Sequence, residues 1–187
     1  MRKMTCLLIL IAFVACLAPL AAAQLKPDPE QRYMLLATKK TSTMQKELAE
    51  MAAVGFRVLV GSPTSSEEMA VFMERVATPP NVYHYKLLAT TRTGTMEREL
   101  NESAAEGYRL LPRTMISKPQ LFGGVEIVVL LEREPNSTKK YDYKLLATTL
   151  TGTLQKEVTE AIRAGYMLAG MVSRGEHMVI MEKESKR

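Results

Sequence analysis

The sequence contains no Trp, only two His and only two Cys among its 187 residues. Both cysteines, Cys6 and Cys16, lie near the start of the chain, so a disulfide-dense scaffold is excluded. Glycine and proline are modest as well, at 10 and 9 residues, which excludes collagen-like and low-complexity chains. The remaining composition, 47% hydrophobic and 24% charged, is that of an ordinary globular protein.

Neither sign of charge dominates the sequence. The 25 basic and 20 acidic side chains give a formal net charge of +5, and two of the basic residues are Arg2 and Lys3. Over the rest of the chain the two signs are interleaved, which is typical of a solvated surface rather than a phosphate-binding stripe. The sequence therefore predicts no nucleic-acid partner.

The first apolar run, residues 7–17, follows Arg2 and Lys3 and leads to three alanines ahead of Gln24. This order is typical of a secretory signal peptide over residues 1–23. The run is shorter than the ~20 residues that a membrane span needs, so we expect no transmembrane segment in the mature chain. The predicted location is periplasmic or secreted; alternatively, the residues before Cys16 form a degenerate lipobox and Cys16 carries a lipid anchor.

Three segments of the sequence resemble one another: residues 33–75, 85–133 and 143–183. They align without gaps from a leading tyrosine, followed by Leu-Leu-Ala-Thr two residues later, through to a Gly-aromatic pair. Self-similarity of this kind is the signature of internal duplication.

Each segment starts with the apolar alternation of a strand, as in residues 85–90. Apolar residues then recur at helical spacing, as Met96, Leu100 and Ala104 do in the second segment. Such a helix is expected to begin after a threonine cap and to end at a glycine. The predicted N-caps are Thr43, Thr95 and Thr153, and the closing glycines are Gly55, Gly107 and Gly165.

Two further strands are predicted after each helix: 57–60 and 69–73, 109–116 and 125–131, and 167–172 and 178–181. A β-α-β-β segment of this size has too little core to be secure alone. We therefore expect residues 24–187 to form one compact α+β domain, in which the three repeats share sheets and core with pseudo-three-fold symmetry. Separate units joined side by side are the alternative.

The hairpins of the three segments end in a related motif: Glu74-Arg75, Glu132-Arg133 and Glu182-Lys183. Together with the Tyr-led strand and the Gly-aromatic helix end, this pattern resembles a short bacterial domain family of unknown function. Three tandem copies would cover nearly all of the chain after residue 23. The family more often has Trp after the glycine, where this sequence has Phe56, Tyr108 and Tyr166. The resemblance implies a fold for each segment and no chemistry.

Residues suited to catalysis or metal binding are few. His84 and His177 occupy non-equivalent places in their segments and have no motif partner nearby, which indicates structural histidines. His177 and Met181 suggest copper ligands, but on one strand they would lie ~13 Å apart. The sequence therefore predicts no catalytic residue, no metal site and no cofactor.

Two weaker candidate sites remain. Threonines and glycines at the helix starts form a candidate anion cradle, although helix capping alone explains a threonine there. Its residues are Thr43, Thr93, Gly94, Thr95, Thr151, Gly152 and Thr153. The hairpin loop of the second segment carries Leu121 and Phe122 beside Lys118, a candidate partner-binding loop unless the apolar pair folds back over the sheet.

We predict from these features a non-enzymatic binding or interaction module that is secreted or periplasmic. Its expected partner is an unknown envelope protein or surface, with a homo-oligomer as a further option. The alternative is an extracytoplasmic binder of a small ligand, with its site between repeats.

Overall fold

A computed structural model describes residues 28–65, 67–76, 82–120 and 123–185. This part of the chain forms ten strands and three helices in three antiparallel sheets, which confirms the predicted α+β class. None of the helices within it is long and apolar enough to span a membrane. The predicted signal peptide, with Cys16, lies outside the described residues.

The first unit, residues 33–75, contains one helix and a sheet of three strands. Its elements are β1 (Tyr33–Thr38), α1 (Thr41–Ala53), β2 (Phe56–Pro63) and β3 (Met69–Arg75). The strand order is β1-β3-β2, so the last strand lies in the middle of the sheet. Alternate residues of β1 are buried and exposed, which places the sheet on α1 by one face.

The second unit, residues 84–133, has the same order, except that the edge strand that corresponds to β2 is interrupted and forms two short strands. Its elements are β4 (His84–Thr90), α2 (Thr93–Ala105), β5 (Arg109–Leu110), β6 (Ile116–Pro119) and β7 (Val125–Arg133). The single strand predicted over 109–116 is wrong. Pro112, which has no N–H to donate to a neighbouring strand, begins a 3-10 turn over Pro112–Thr114 that separates β5 from β6.

The third unit, residues 141–184, repeats the arrangement of the first. Its elements are β8 (Tyr141–Thr148), α3 (Thr151–Arg163), β9 (Met167–Ser173) and β10 (His177–Glu184), with strand order β8-β10-β9. The pairing of β10 with β9 shifts register near Ile180, as the pairing of β2 with β3 does near Val58.

The structure confirms the predicted C-terminal ends of the helices and contradicts the predicted N-caps. All three helices are followed by a glycine at φ near +90°, the left-handed conformation expected at Gly55, Gly107 and Gly165. The predicted threonine N-caps are wrong, because Thr43, Thr95 and Thr153 lie inside the first turn and the N-cap residues make no side-chain cap bond. The bonding hydroxyls belong instead to the threonines that end β1, β4 and β8, which accept the backbone N–H two residues later.

α1 and α2 each lie between the sheet of their own unit and the sheet of the next, whereas α3 contacts the sheet of its own unit. α1 packs against β4, and α2 packs against β8. One apolar cluster accordingly joins Met44 and Leu48 of α1 to Tyr85 and Leu130 of the second unit. A second cluster joins α2 and its sheet to the third unit, whereas the third cluster belongs to the third unit alone.

The units therefore share their cores with their neighbours, while each keeps a sheet of its own. In the described residues, the hydrogen bonds between units run from the first to the second and from the second to the third. The predicted pseudo-three-fold symmetry and the single compact domain stay predictions.

Candidate functional site

A buried polar cluster ties the first unit to the second. Arg57 Nη2 donates to Glu132 Oε1 at 2.6 Å, and Tyr85 OH donates to Glu132 Oε2 at 2.8 Å. The Val58 amide completes the cluster by donating to Tyr85 OH at 3.0 Å. Because the Glu132 side chain is only 4% exposed, its charge depends on this arginine and this tyrosine for compensation.

The same cluster recurs between the second and third units. Arg109 Nη2 donates to Glu182 Oε1 at 2.7 Å, and Tyr143 OH donates to Glu182 Oε2 at 2.8 Å. The Leu110 amide donates to Tyr143 OH at 2.8 Å. At both junctions, then, an arginine of one unit meets a tyrosine and a glutamate of the next.

The two junction tyrosines are held in their neutral form. Burial raises the pKa of Tyr85 far above its usual range, and the nearby Glu132 carboxylate raises it further. Burial likewise raises the pKa of Tyr143, with a smaller contribution from Glu182. Both hydroxyls therefore remain proton donors near neutral pH, which suits a structural bond better than proton transfer.

Side chains of α1 and α2 bond the edge strand of the following unit. Gln45 Nε2 donates to the Tyr85 carbonyl at 2.9 Å, and Gln45 Oε1 accepts the Leu87 amide at 2.8 Å. At the next junction Asn101 bonds both the amide and the carbonyl of Tyr143. The first strand of a unit thus has its outer edge satisfied by the helix before it.

We call the sheet surface that faces the preceding unit the leading face. Register defines it by one cross-strand pair in each unit: Leu35 with Phe72, Leu87 with Leu130, and Leu145 with Ile180. Leu130 and Ile180 are 1% and 0% exposed, because the preceding unit covers them. Phe72 is 44% exposed and Leu35 48%, so the described residues leave the leading face of the first unit uncovered, or bare.

The opposite end of the described chain is bare as well. We call the surface of a unit that faces the following unit its trailing face. In the third unit Leu168 and Met171 lie on the helix side of the sheet, since they pair with Met181 and Val179, and Ile162 lies on α3. Leu168 is 60% exposed, whereas the aligned Leu110 is 1% exposed under the third unit. Met167 stands where the first two units have Arg57 and Arg109, and it is 74% exposed.

A cleft lies where all three units meet. It encloses about 310 Å³ and is lined by Arg57 of the first unit, Arg109 of the second and Tyr141 of the third, among others. Its basic side chains are already paired with carboxylates: Arg57 with Glu132 and Glu134, Arg109 with Glu182, and Lys139 with Glu184.

The residues of the predicted anion cradle lie in the first turns of three different helices. Thr43 belongs to α1; Thr93, Gly94 and Thr95 to α2; and Thr151, Gly152 and Thr153 to α3. Thr93 Oγ1 accepts a hydrogen bond from Arg174 of the third unit, so this hydroxyl serves a junction. Anion binding by the set stays a prediction.

The predicted partner-binding loop is only partly described. Lys118, on β6, donates to the Lys39 carbonyl at 2.5 Å and so links the second unit to the first. Leu121 and Phe122 lie outside the described residues, and their role stays a prediction.

The histidines lie apart from each other along the fold, at the starts of β4 and β10. His84 is exposed, and His177 Nδ1 is buried without a hydrogen-bond partner. Within the described ranges, no three His, Cys, Asp or Glu side chains are grouped so that they could hold a metal ion. Met178 and Met181, next to His177 in the copper interpretation, are fully buried in apolar clusters.

Sequence reasoning did not single out the junction residues. A signal was present, because the leading tyrosine and the closing glutamate occur in all three segments while the arginine becomes Met167 in the third. What the alignment alone does not show is that each arginine bonds the glutamate of the following unit.

Comparison with known proteins identifies no relative of this chain. The chain matches no protein-family model, no curated protein and no solved structure. The resemblance to the bacterial domain family stays a prediction.

Proposed function

We propose that the protein is an exported, non-enzymatic interaction module that docks protein partners through its two bare end faces. One observation carries this proposal: a surface that is buried at both internal junctions is exposed at each end of the described chain. Tyr33, Leu35 and Phe72 form the bare leading face, and Met167 and Leu168 lie on the bare trailing face.

The chemistry of the two faces supports protein docking. Exposed apolar side chains grouped on one surface mark interaction sites more often than scattered ones do. Aromatic residues such as Tyr33 and Phe72 and flexible methionines such as Met167 are common anchors in protein interfaces. The predicted signal peptide over residues 1–23 supports a partner in the cell envelope or outside the cell.

Site-specific photocrosslinking in the producing cell tests this proposal. A photoreactive residue is placed at Leu35 on the leading face, at Leu168 on the trailing face, and at Glu102 on the exposed side of α2 as the control. We expect discrete protein adducts from Leu35 and Leu168 and none from Glu102. Adducts that do not differ among the three positions would contradict the proposal.

The cleft at the meeting of the three units favours a second candidate function, the binding of a small ligand. Its volume of about 310 Å³ lies at the lower end of the ~300–1,000 Å³ of ligand pockets. Native mass spectrometry of protein from its producing cells would show an added mass that is lost on denaturation. A bare chain mass under the same gentle conditions would exclude this second candidate.

A further inference from the structure

We propose that the partner of both end faces is a second copy of this chain. The copies dock head to tail, so that the trailing face of unit three in one molecule covers the leading face of unit one in the next. This inference rests on the proposed docking function and names its partner. It is carried by three features of the two faces.

The first feature is continuity with the internal junctions. Inside the chain, a leading face is covered by the trailing face of the preceding unit at both junctions. Unit one keeps the residues for that contact, since Tyr33 pairs with Glu74 as Tyr85 pairs with Glu132. It keeps them although no described unit precedes it, which indicates that a trailing face is supplied from elsewhere.

The second feature is the helix side chain that bonds the edge strand. Gln155 of α3 aligns with Gln45 of α1, the residue that bonds both the Tyr85 carbonyl and the Leu87 amide. In the structure Gln155 Nε2 donates at 3.4 Å to Thr159 of its own helix, which is long for a hydrogen bond. In the docked pair Gln155 would bond the Tyr33 carbonyl and the Leu35 amide of the neighbouring copy.

The third feature is complementary charge. At the internal junctions the buried glutamate receives its arginine from the preceding unit. Unit one supplies its own cation instead, because Arg32 Nη2 lies 3.0 Å from Glu74 Oε1. Unit three has Met167 in place of the arginine, so this position brings no second cation to Arg32 and Glu74. Arg32 in unit one and Met167 in unit three therefore complement each other, because an interface between these two units needs only one cation beside Glu74.

The geometry of this contact predicts how the assembly grows. A leading face meets a trailing face, so the interface is heterologous and every open assembly keeps one uncovered face of each kind at its two ends. Growth therefore continues to open chains, or stops only if the rotation between copies closes a ring. A dimer that is complete at two copies is not expected.

Sedimentation velocity with two complementary variants tests the proposal. Phe72→Asp blocks the leading face, and Leu168→Asp blocks the trailing face; both positions are exposed, so the fold should tolerate the change. We expect the unmodified protein to form larger species as its concentration rises, and each variant alone to stay monomeric. An equimolar mixture of the two should give a 1:1 dimer and nothing larger, because only one compatible pair of faces remains. Circular dichroism and thermal unfolding of each variant confirm that it is folded.

Three outcomes would overturn the proposal. The unmodified protein could stay monomeric throughout, the mixture could form no dimer, or either variant could still associate by itself, as a symmetric dimer would. The photocrosslinks separate this failure from failure of the docking function. Adducts of Leu35 and Leu168 with a different protein, from a monomeric chain, overturn self-assembly alone, whereas the absence of face-specific adducts overturns both.

Discussion

The leading faces of the first and second units carry similar residues, but the first face is exposed and the second is buried. Tyr33 and Tyr85 occupy the same place in their strands, yet Tyr33 is 45% exposed and Tyr85 only 6%. The difference comes from α1, which lies against the leading face of the second unit, while none of the described helices lies against the leading face of the first. The same local sequence therefore forms an apolar sheet face in both units. Whether that face is buried depends on the presence of a preceding unit.

The largest contrast is expected from truncating the cross-strand partner on each leading face. Leu130→Ala removes a fully buried side chain and should lower the free energy of unfolding by about 2–5 kcal/mol. Phe72→Ala removes more atoms from an exposed site and should cost less than about 1 kcal/mol. Urea denaturation of both variants measures the difference, and equal losses would break the comparison.

The junction glutamates should differ in the same sense. Glu132→Gln removes the charge that Arg57 and Tyr85 bond in a buried site, and we expect a loss of about 2–3 kcal/mol. In Glu74→Gln the lost partner is Arg32, whose side chain is largely exposed, so the loss should stay below about 1 kcal/mol. Chemical denaturation near pH 7 compares the two; a larger loss for Glu74→Gln would contradict the assignment of the buried cluster.

Alkaline pH should weaken the junctions. The raised pKa values of Tyr85 and Tyr143 mean that above about pH 10 the unfolded chain loses protons that the folded chain retains. The unfolded state then binds fewer protons, so the free energy of unfolding is unaffected below about pH 10 and falls above it, by up to about 1.4 kcal/mol per pH unit for each tyrosine.

Urea denaturation between pH 9 and 11 measures this fall. The double variant Tyr85→Phe, Tyr143→Phe should lose less stability over the same interval, since two of the ionising groups are gone. An identical slope for the variant and the unmodified protein would show that these hydroxyls ionise without unfolding.

The smallest contrast is expected for the helix side chains that bond an edge strand. Gln45→Ala leaves the half-buried Leu87 amide and Tyr85 carbonyl without their side-chain partner and should cost about 1–2 kcal/mol. Gln155→Ala in dilute protein should cost less than about 0.5 kcal/mol, because among the described residues of one copy the exposed Gln155 bonds Thr159 of its own helix and no edge strand. If the loss of stability on Gln155→Ala grows with protein concentration, Gln155 bonds the edge strand of a docked copy as Gln45 bonds that of the second unit.

The local fold could be predicted from the sequence because its signals are local. Alternating and helical periods placed the strands and helices, and the glycines that end the helices need a conformation that other residues resist. The predicted N-caps are wrong because several threonines lie near each helix start, and the hydroxyl at the strand end makes the bond. The strand predicted over 109–116 is interrupted at Pro112, because proline has no N–H to donate to a neighbouring strand.

The candidate site was harder to predict, because it is made of contacts between units. Arg57 lies far from Glu132 in sequence, and in its own sheet it pairs with Glu74 instead. Nothing in a local pattern chooses between these two glutamates. The exposure of Phe72 could not be predicted either, since the aligned Leu130 and Ile180 are buried by units that have no counterpart before unit one among the described residues.

Amide hydrogen exchange along the first strand of each unit reports whether a preceding unit covers its leading face. The leading faces of the second and third units are covered by the unit before them, and the described residues leave that of the first unit exposed. We predict fast exchange at Leu35 in dilute protein and slow exchange at Leu87 and Leu145, whose amides are bonded by Gln45 and Glu97 of the preceding helices. Exchange at Leu35 as slow as at Leu87, at the lowest protein concentration, would contradict the account.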